Sequence, residues 1–172
     1  LKPILLFNNL IVFLILSIIN TLISIKLPIS LFHYDSWFFR VTHWEKNGQI
    51  YQWYFGVKKW KNQLPELSDF LSFLFSKKQM MQYSPDYLVR FALETCRAEL
   101  VHWCIIFSSL IFSVWNSMGM SLLMIFIAVV FNLPYIIIQR YNRPRILNLL
   151  ANKRATIKGT INNDLKRLHK DV

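Results

Sequence analysis

Residues Pro3 to Ile25 contain no charged side chain. As an α-helix, a run of that length crosses a hydrocarbon core about 30 Å thick. A chain holding such a segment has few folds open to it, because backbone inside a bilayer must satisfy its own hydrogen bonds. The run is longer than a signal-peptide core, and no small-residue cleavage site follows it. It reads as a first transmembrane helix ending near Lys26 and Pro28. Asn8, Asn9, Asn20 and Thr21 are polar enough to turn toward other helices, as ordinary helix-packing polarity.

Two more apolar segments follow, Leu100 to Trp115 and Met120 to Ile138, joined by the short uncharged turn Asn116-Ser117-Met118-Gly119. Ser84-Pro85-Asp86 is a helix start: a serine cap, proline in the first position and an acid in the first turn. From there the pattern is amphipathic to Glu99 and then apolar, so one long helix rises from the interface into the bilayer. Asn132 and Pro134 interrupt the returning segment, and the proline frees a backbone carbonyl and kinks the helix.

Between the first and second apolar segments lies an aromatic stretch, His33 to Gln63, with Trp37, Trp44, Trp53 and Trp60. Trp53, Val57 and Trp60 fall at helical spacing, beside Lys58, Lys59 and Lys61, the pattern of an interface anchor. Gly48 marks a turn. Leu67, Phe70, Leu71 and Leu74 predict an in-plane amphipathic helix within Leu64 to Lys78, too short to cross. The basic tail from Gln139 onward reads as solvated. The expectation is an all-α integral membrane protein, with about three transmembrane helices plus interfacial amphipathic helices. It forms a single membrane domain over residues 1–172: a first transmembrane helix in 1–32, an interfacial segment in 33–97, a helix hairpin in 98–138 and a basic tail in 139–172.

Charge decides between partners and gives an orientation. The chain is 54% hydrophobic yet carries a formal net charge of +11. That combination argues against a nucleic-acid binder and for a multi-pass membrane protein with basic cytoplasmic parts. His33 to Arg97 holds nine Lys or Arg, the tail nine more, and the turn at Asn116 none. Three crossings therefore put loop and tail in the cytoplasm and the N-terminus outside a cell membrane. A re-entrant hairpin would still leave loop and tail on one side. Cys96 and Cys104, roughly 12 Å apart along a helix, are too far for a disulfide and read as core thiols. No spaced metal signature is present, and His33 and His43 in one loop do not make a site.

The hairpin brings two polar clusters to one bilayer surface: Arg97-Ala98-Glu99-Leu100-Val101-His102-Trp103 and Gln139-Arg140-Tyr141-Asn142-Arg143-Pro144-Arg145. Glu99 and His102 share a helix face, with Arg97 about a turn below. Charged groups at this depth are costly unless paired or hydrated. One reading is structural: a Glu99–arginine pair ties the hairpin together, and Arg140, Arg143 and Arg145 are an orientation belt. The functional reading makes His102 a general base that takes a proton from a hydroxyl attacking an acyl thioester, with Glu99 holding or stabilising the imidazole. Arg97, Gln139, Arg140, Tyr141, Asn142, Arg143 and Arg145 then bind substrate. The arginines hold donor phosphates or an oxyanion, and Gln139 and Asn142 orient an acceptor sugar. The HxxxxD pattern of glycerolipid acyltransferases is absent, since Phe107 stands five residues after His102.

The first cluster, followed by Asn132-x-Pro134-x-Ile136-Ile137-x-Gln139-Arg140-Tyr141-Asn142-Arg143-Pro144-Arg145, resembles the glycosyl-4,4'-diaponeurosporenoate acyltransferase family of staphyloxanthin biosynthesis. Glu45-Lys46-x-Gly48 and Val57-Lys58-Lys59-Trp60-Lys61 resemble the same family, over about Trp37 to Leu150. The resemblance implies esterification of a sugar hydroxyl on a glycosylated carotenoid, or a similar glycolipid, with a fatty acyl group. The acyl group would come from a coenzyme A or carrier-protein thioester as co-substrate, with no cofactor or metal. Two other readings stand beside it: a non-enzymatic membrane scaffold of a lipid-processing or transport complex, and a small membrane methyltransferase without a nucleotide-binding glycine pattern.

Overall fold

The computed structural model describes residues 3–66, 69, 75 and 82–168, with side chains described as far as 160. Among the described residues the regular elements are all helices, without strands: α1 is Pro3–Lys26, α2 Gln49–Phe55, α3 Val57–Trp60, α4 Pro85–Ser108 and α5 Met118–Leu168. Short 3-10 helices cover Ile29–Leu31, His43–Gly48 and Ser109–Val114. Three helical stretches, Pro3–Lys26, Pro85–Val114 and Met118–Thr160, are long and apolar enough to cross a membrane. The chain forms two compact units, one of residues 1–40 and 95–140 and the other of 41–94 and 141–172, so α4 and α5 contribute to both.

In the first unit, polar contacts fix an up-down-up arrangement. Near one end, Asn9 Nδ2 donates to Asn116 Oδ1 at 2.9 Å, and Trp115 Nε1 donates to Asn9 Oδ1 at 3.2 Å. Midway, Asn20 Nδ2 donates to Ser108 Oγ at 3.1 Å. At the other end, Arg97 Nη2 donates to the Leu27 carbonyl at 2.9 Å, just past the close of α1. There it satisfies an orphan carbonyl and meets the negative pole of the helix. α1 is thus antiparallel to α4, and Asn9 and Asn20 face another helix as expected, whereas Asn8 is exposed and Thr21 Oγ1 donates to the Ser17 carbonyl of α1 itself at 2.8 Å. Ile4, Phe7, Leu14, Phe107, Val114, Phe126 and Phe131 remain exposed. That outer surface costs nothing against lipid tails, where polar and close-packed contacts hold helices together.

The second unit is built on a tight left-handed turn. Thr42 and Glu45 form a reciprocal capping box, and Tyr51 Oη donates to Glu45 Oε1 at 2.6 Å. Lys46, Asn47 and Gly48 then adopt φ of 47°, 56° and 81°. At Gly48 a Cβ would sit 3.0 Å from both the Tyr141 carbonyl oxygen and Pro144 Cγ, so glycine is needed for space as well as conformation. α4 begins at Pro85, and Ser84 Oγ accepts the Tyr87 N–H at 3.3 Å.

Two expectations change. The periodicity through Trp53, Val57 and Trp60 is broken by Gly56 at φ 59°, which separates α2 from α3 and leaves Val57 fully buried beside the exposed Lys58 and Lys59. The tail is not solvated from Gln139: α5 continues through Pro134 and Pro144, and Gln139, Tyr141, Asn142, Arg143, Ile146 and Leu150 are buried. The Gly48 turn packs on this stretch, and α5 is exposed at every position from 151 to 160. Most of the amphipathic segment expected within Leu64 to Lys78 lies outside the described residues.

Candidate active site

In the first unit α4 and α5 meet at an imidazole. His102 Nδ1 lies 2.8 Å from Asn132 Oδ1, and Asn132 Nδ2 donates to the Ala128 carbonyl at 2.8 Å. The second bond sets the orientation of the amide, because the reverse placement would oppose two oxygens. Oδ1 can only accept, so Nδ1 carries the hydrogen and neutral His102 keeps its lone pair on Nε2. Tyr135 stacks on the ring, with centroids 4.6 Å apart and planes 11° from parallel. Asn132 is buried and His102 half-buried, so the imidazole is held from two sides.

One turn earlier on α4, Glu99 is fully buried and accepts from Arg140 Nε at 2.7 Å. Arg140 also donates from Nη2 to the Phe38 carbonyl at 2.7 Å and from Nη1 to the Arg40 carbonyl at 3.2 Å. A single guanidinium therefore ties the hairpin to the loop after α1. Arg97 lies over Phe32, 5.7 Å from its centroid. Gln139 is 3% exposed, and its Oε1 has no hydrogen-bond partner among the described residues. It sits four residues after Tyr135 and seven after Asn132, on the face of α5 that carries the His102 contacts.

The other predicted residues belong to the second unit. Tyr141, Asn142 and Arg143 are buried and Arg145 is exposed. The Arg145 guanidinium lies 4.3 Å from the Tyr141 centroid. Lys61 Nζ lies 5.5 Å from that centroid and donates to Asn142 Oδ1 at 3.4 Å. Burial lowers the Lys61 pKa, and Arg145 and Lys58 push it the same way while Glu66 opposes them. The structure therefore gathers Arg97, Glu99, His102, Gln139 and Arg140 in one unit, and Tyr141, Asn142, Arg143 and Arg145 in the other.

Three residues went unassigned in the sequence. Asn132 registered as a break in an apolar run and as the first residue of a family motif, without a role, although an amide there needs a partner. Glu45 stood inside a quoted motif without a role, and Lys61 was read only as part of an interface anchor. Among the described residues no group of three His, Cys, Asp or Glu side chains is placed to hold a metal.

A sequence model of the glycosyl-4,4'-diaponeurosporenoate acyltransferase family matches residues 35–152, from the aromatic loop to just past Leu150. The chain belongs to that family. It is an acyltransferase by descent, and the matched region takes in the Gly48 turn, both polar clusters and the His102–Asn132 pair. The glycosyl-4,4'-diaponeurosporenoate acyltransferase of Staphylococcus aureus strain N315 is 32% identical over 125 residues, 73% of this chain and 75% of the relative. The protein of that name from strain USA300 shows the same identity and coverage. No solved structure matches the chain.

Proposed function

We propose that this acyltransferase esterifies a sugar hydroxyl of a glycosylated carotenoid with a fatty acyl group from a thioester, using His102 as general base. The observation that carries the reading is the 2.8 Å contact between His102 Nδ1 and Asn132 Oδ1, because it leaves Nε2 as the basic nitrogen. Nε2 takes the proton of the attacking hydroxyl as its oxygen bonds to the acyl carbon. The tetrahedral intermediate collapses, the carbon–sulfur bond breaks, and the imidazolium returns the proton to the leaving thiolate. General-base assistance of this kind contributes about 10²–10⁴-fold. The thioester supplies the activation, so the reaction calls for no cofactor.

In this reading Asn132 is a positioning residue, acting through the imidazole. Arg140 and Glu99 hold the hairpin and the loop at Phe38 and Arg40 in register, and Gln139 Oε1 is an acceptor for a hydroxyl of the sugar. His102 is five residues beyond Arg97, about 7.5 Å further along α4. A carotenoid chain lying among the exposed apolar side chains would bring its sugar to this level. The loop and tail face the cytoplasm of a cell membrane by their lysines and arginines, where a soluble acyl donor is met.

The test is lipid extraction and mass spectrometry from cells that make this chain beside a glycosylated carotenoid, with His102→Ala in parallel. The expected result is a product heavier by one fatty acyl ester, lost in the variant although the variant is inserted in the membrane. Undiminished product from His102→Ala would remove His102 as the base.

A further inference from the structure

In the second unit two cations converge on one aromatic ring. Lys61 follows α3 and Arg145 lies on α5, yet both lie over Tyr141, at 5.5 Å and 4.3 Å from its centroid. Lys61 is held by Asn142 Oδ1, and Lys58 adds a third positive charge near enough to repel it. Glu66 offsets part of that charge. Gathering like charges where water is partly excluded is unfavourable unless an anion completes the set.

A second observation points the same way. Tyr141 is 2% exposed, and its hydroxyl has no hydrogen-bond partner among the described residues. A buried phenol normally finds one. The ring that carries both cations therefore also presents an unused donor. Arg145 is exposed and Lys61 half-buried, so the two cations are reachable by a soluble ligand. A guanidinium, an ammonium and a phenolic hydroxyl are all donors, and together they suit a group with several anionic oxygens.

We propose that Lys61, Tyr141 and Arg145, with Asn142 orienting Lys61, form a phosphate-binding site, and that the phosphate belongs to the phosphorylated pantetheine carrier of the acyl group. The assignment of the donor rests on the thioester chemistry proposed above. Pantetheine thioesters have a neutral reacting end and carry their phosphates far from it, so a separate anion site would hold the carrier without touching the reacting atoms. An anionic lipid headgroup presents the same phosphate chemistry from another source.

The experiment uses the purified full chain in detergent, with coenzyme A as the probe in titration calorimetry. Lys61→Met and Arg145→Met are each expected to weaken binding by about tenfold or more, the loss of one charged hydrogen bond. Tyr141→Phe keeps the ring and removes only the hydroxyl, and should weaken binding severalfold. His102→Ala should bind like the wild type, so a failed base assignment and a failed phosphate site give different results. In turnover assays the Lys61 and Arg145 variants should raise the donor KM and leave kcat unchanged. In a second arm, the chain is partitioned between nanodiscs of phosphatidylcholine and of phosphatidylglycerol. If coenzyme A does not bind but the variants lose a preference for phosphatidylglycerol, the site stands and its phosphate is the lipid's. If all three variants match the wild type in both arms, the proposal is overturned.

Discussion

Arg140→Met is the most informative single change in the first unit. It removes the Nε–Oε1 bond to a Glu99 that is 0% exposed, while Arg140 itself is 19% exposed. It also strips the donors from the Phe38 and Arg40 carbonyls. Breaking a buried pair from one side costs about 3–5 kcal/mol, because the remaining charge stays buried. For a chain of this size that lowers the unfolding midpoint by about 10 °C. The double variant Glu99→Leu with Arg140→Met removes both charges and should recover most of the loss, since a hydrophobic replacement of a buried pair is often neutral. The exchanged pair, Glu99→Arg with Arg140→Glu, should not recover it, because a carboxylate at residue 140 would face two carbonyl oxygens that now accept from the guanidinium. Thermal unfolding in detergent, followed by far-UV circular dichroism, reads all four proteins. The reasoning is wrong if Arg140→Met melts with the wild type, if the double variant is no more stable than Arg140→Met, or if the exchanged pair restores stability.

Asn132→Leu should lower kcat by about 10²-fold while leaving the donor KM in place, and Asn132→Asp, which keeps an acceptor at Nδ1, should retain more activity; steady-state turnover with a leucine variant as fast as wild type would refute the orienting role. Gly48→Ala should destabilise by about 1–3 kcal/mol, from its left-handed backbone and from the Tyr141 and Pro144 contacts, and an unchanged melting curve would contradict it. The Lys61 pKa lies below its ordinary value of 10.5, mainly through burial and then Arg145. The folded state therefore releases this proton before the unfolded state does: charged Lys61 opposes folding below the lowered pKa, and that opposition is relieved as pH rises through it toward 10.5. Coenzyme A affinity should fall over the same rise, beginning below the ordinary lysine range, and calorimetry across alkaline pH should show that decline weakened in Lys61→Met.

The spans and the start of α4 were legible because they depend on local signals: uncharged runs in Pro3 to Ile25, Leu100 to Trp115 and Met120 to Ile138, and the cap at Ser84-Pro85-Asp86. The structural reading of Glu99 was also available, since a carboxylate in that setting needs a cation, but the choice of Arg140 over Arg143 or Arg145 depends on where α5 turns its side chains. Other features were not legible because the deciding contact is distant in sequence. Asn132 reaches His102 across 30 residues, and no periodicity announces it. The burial of Tyr141 and Arg143 runs against their basic neighbours, and the Gly48 turn that packs on Tyr141 and Pro144 is distant in sequence. Gly56 was concealed because Trp53, Val57 and Trp60 satisfy a helical spacing that the backbone does not follow.

α1 presents little but oil on its outer faces, and within its most apolar window only 6% of residues are buried. It is pinned at three heights: Asn9 to Asn116 and Trp115, Asn20 to Ser108, and the Leu27 carbonyl to Arg97. The family match begins at residue 35, after this helix has ended. A helix anchored at so few points is a replaceable part. Apart from the buried Ser24, its remaining positions ask mainly for greasiness and length, so its letters can drift without unseating it. A foreign apolar helix given asparagines eleven residues apart, and ending in time to offer Arg97 a carbonyl, would be expected to dock in its place.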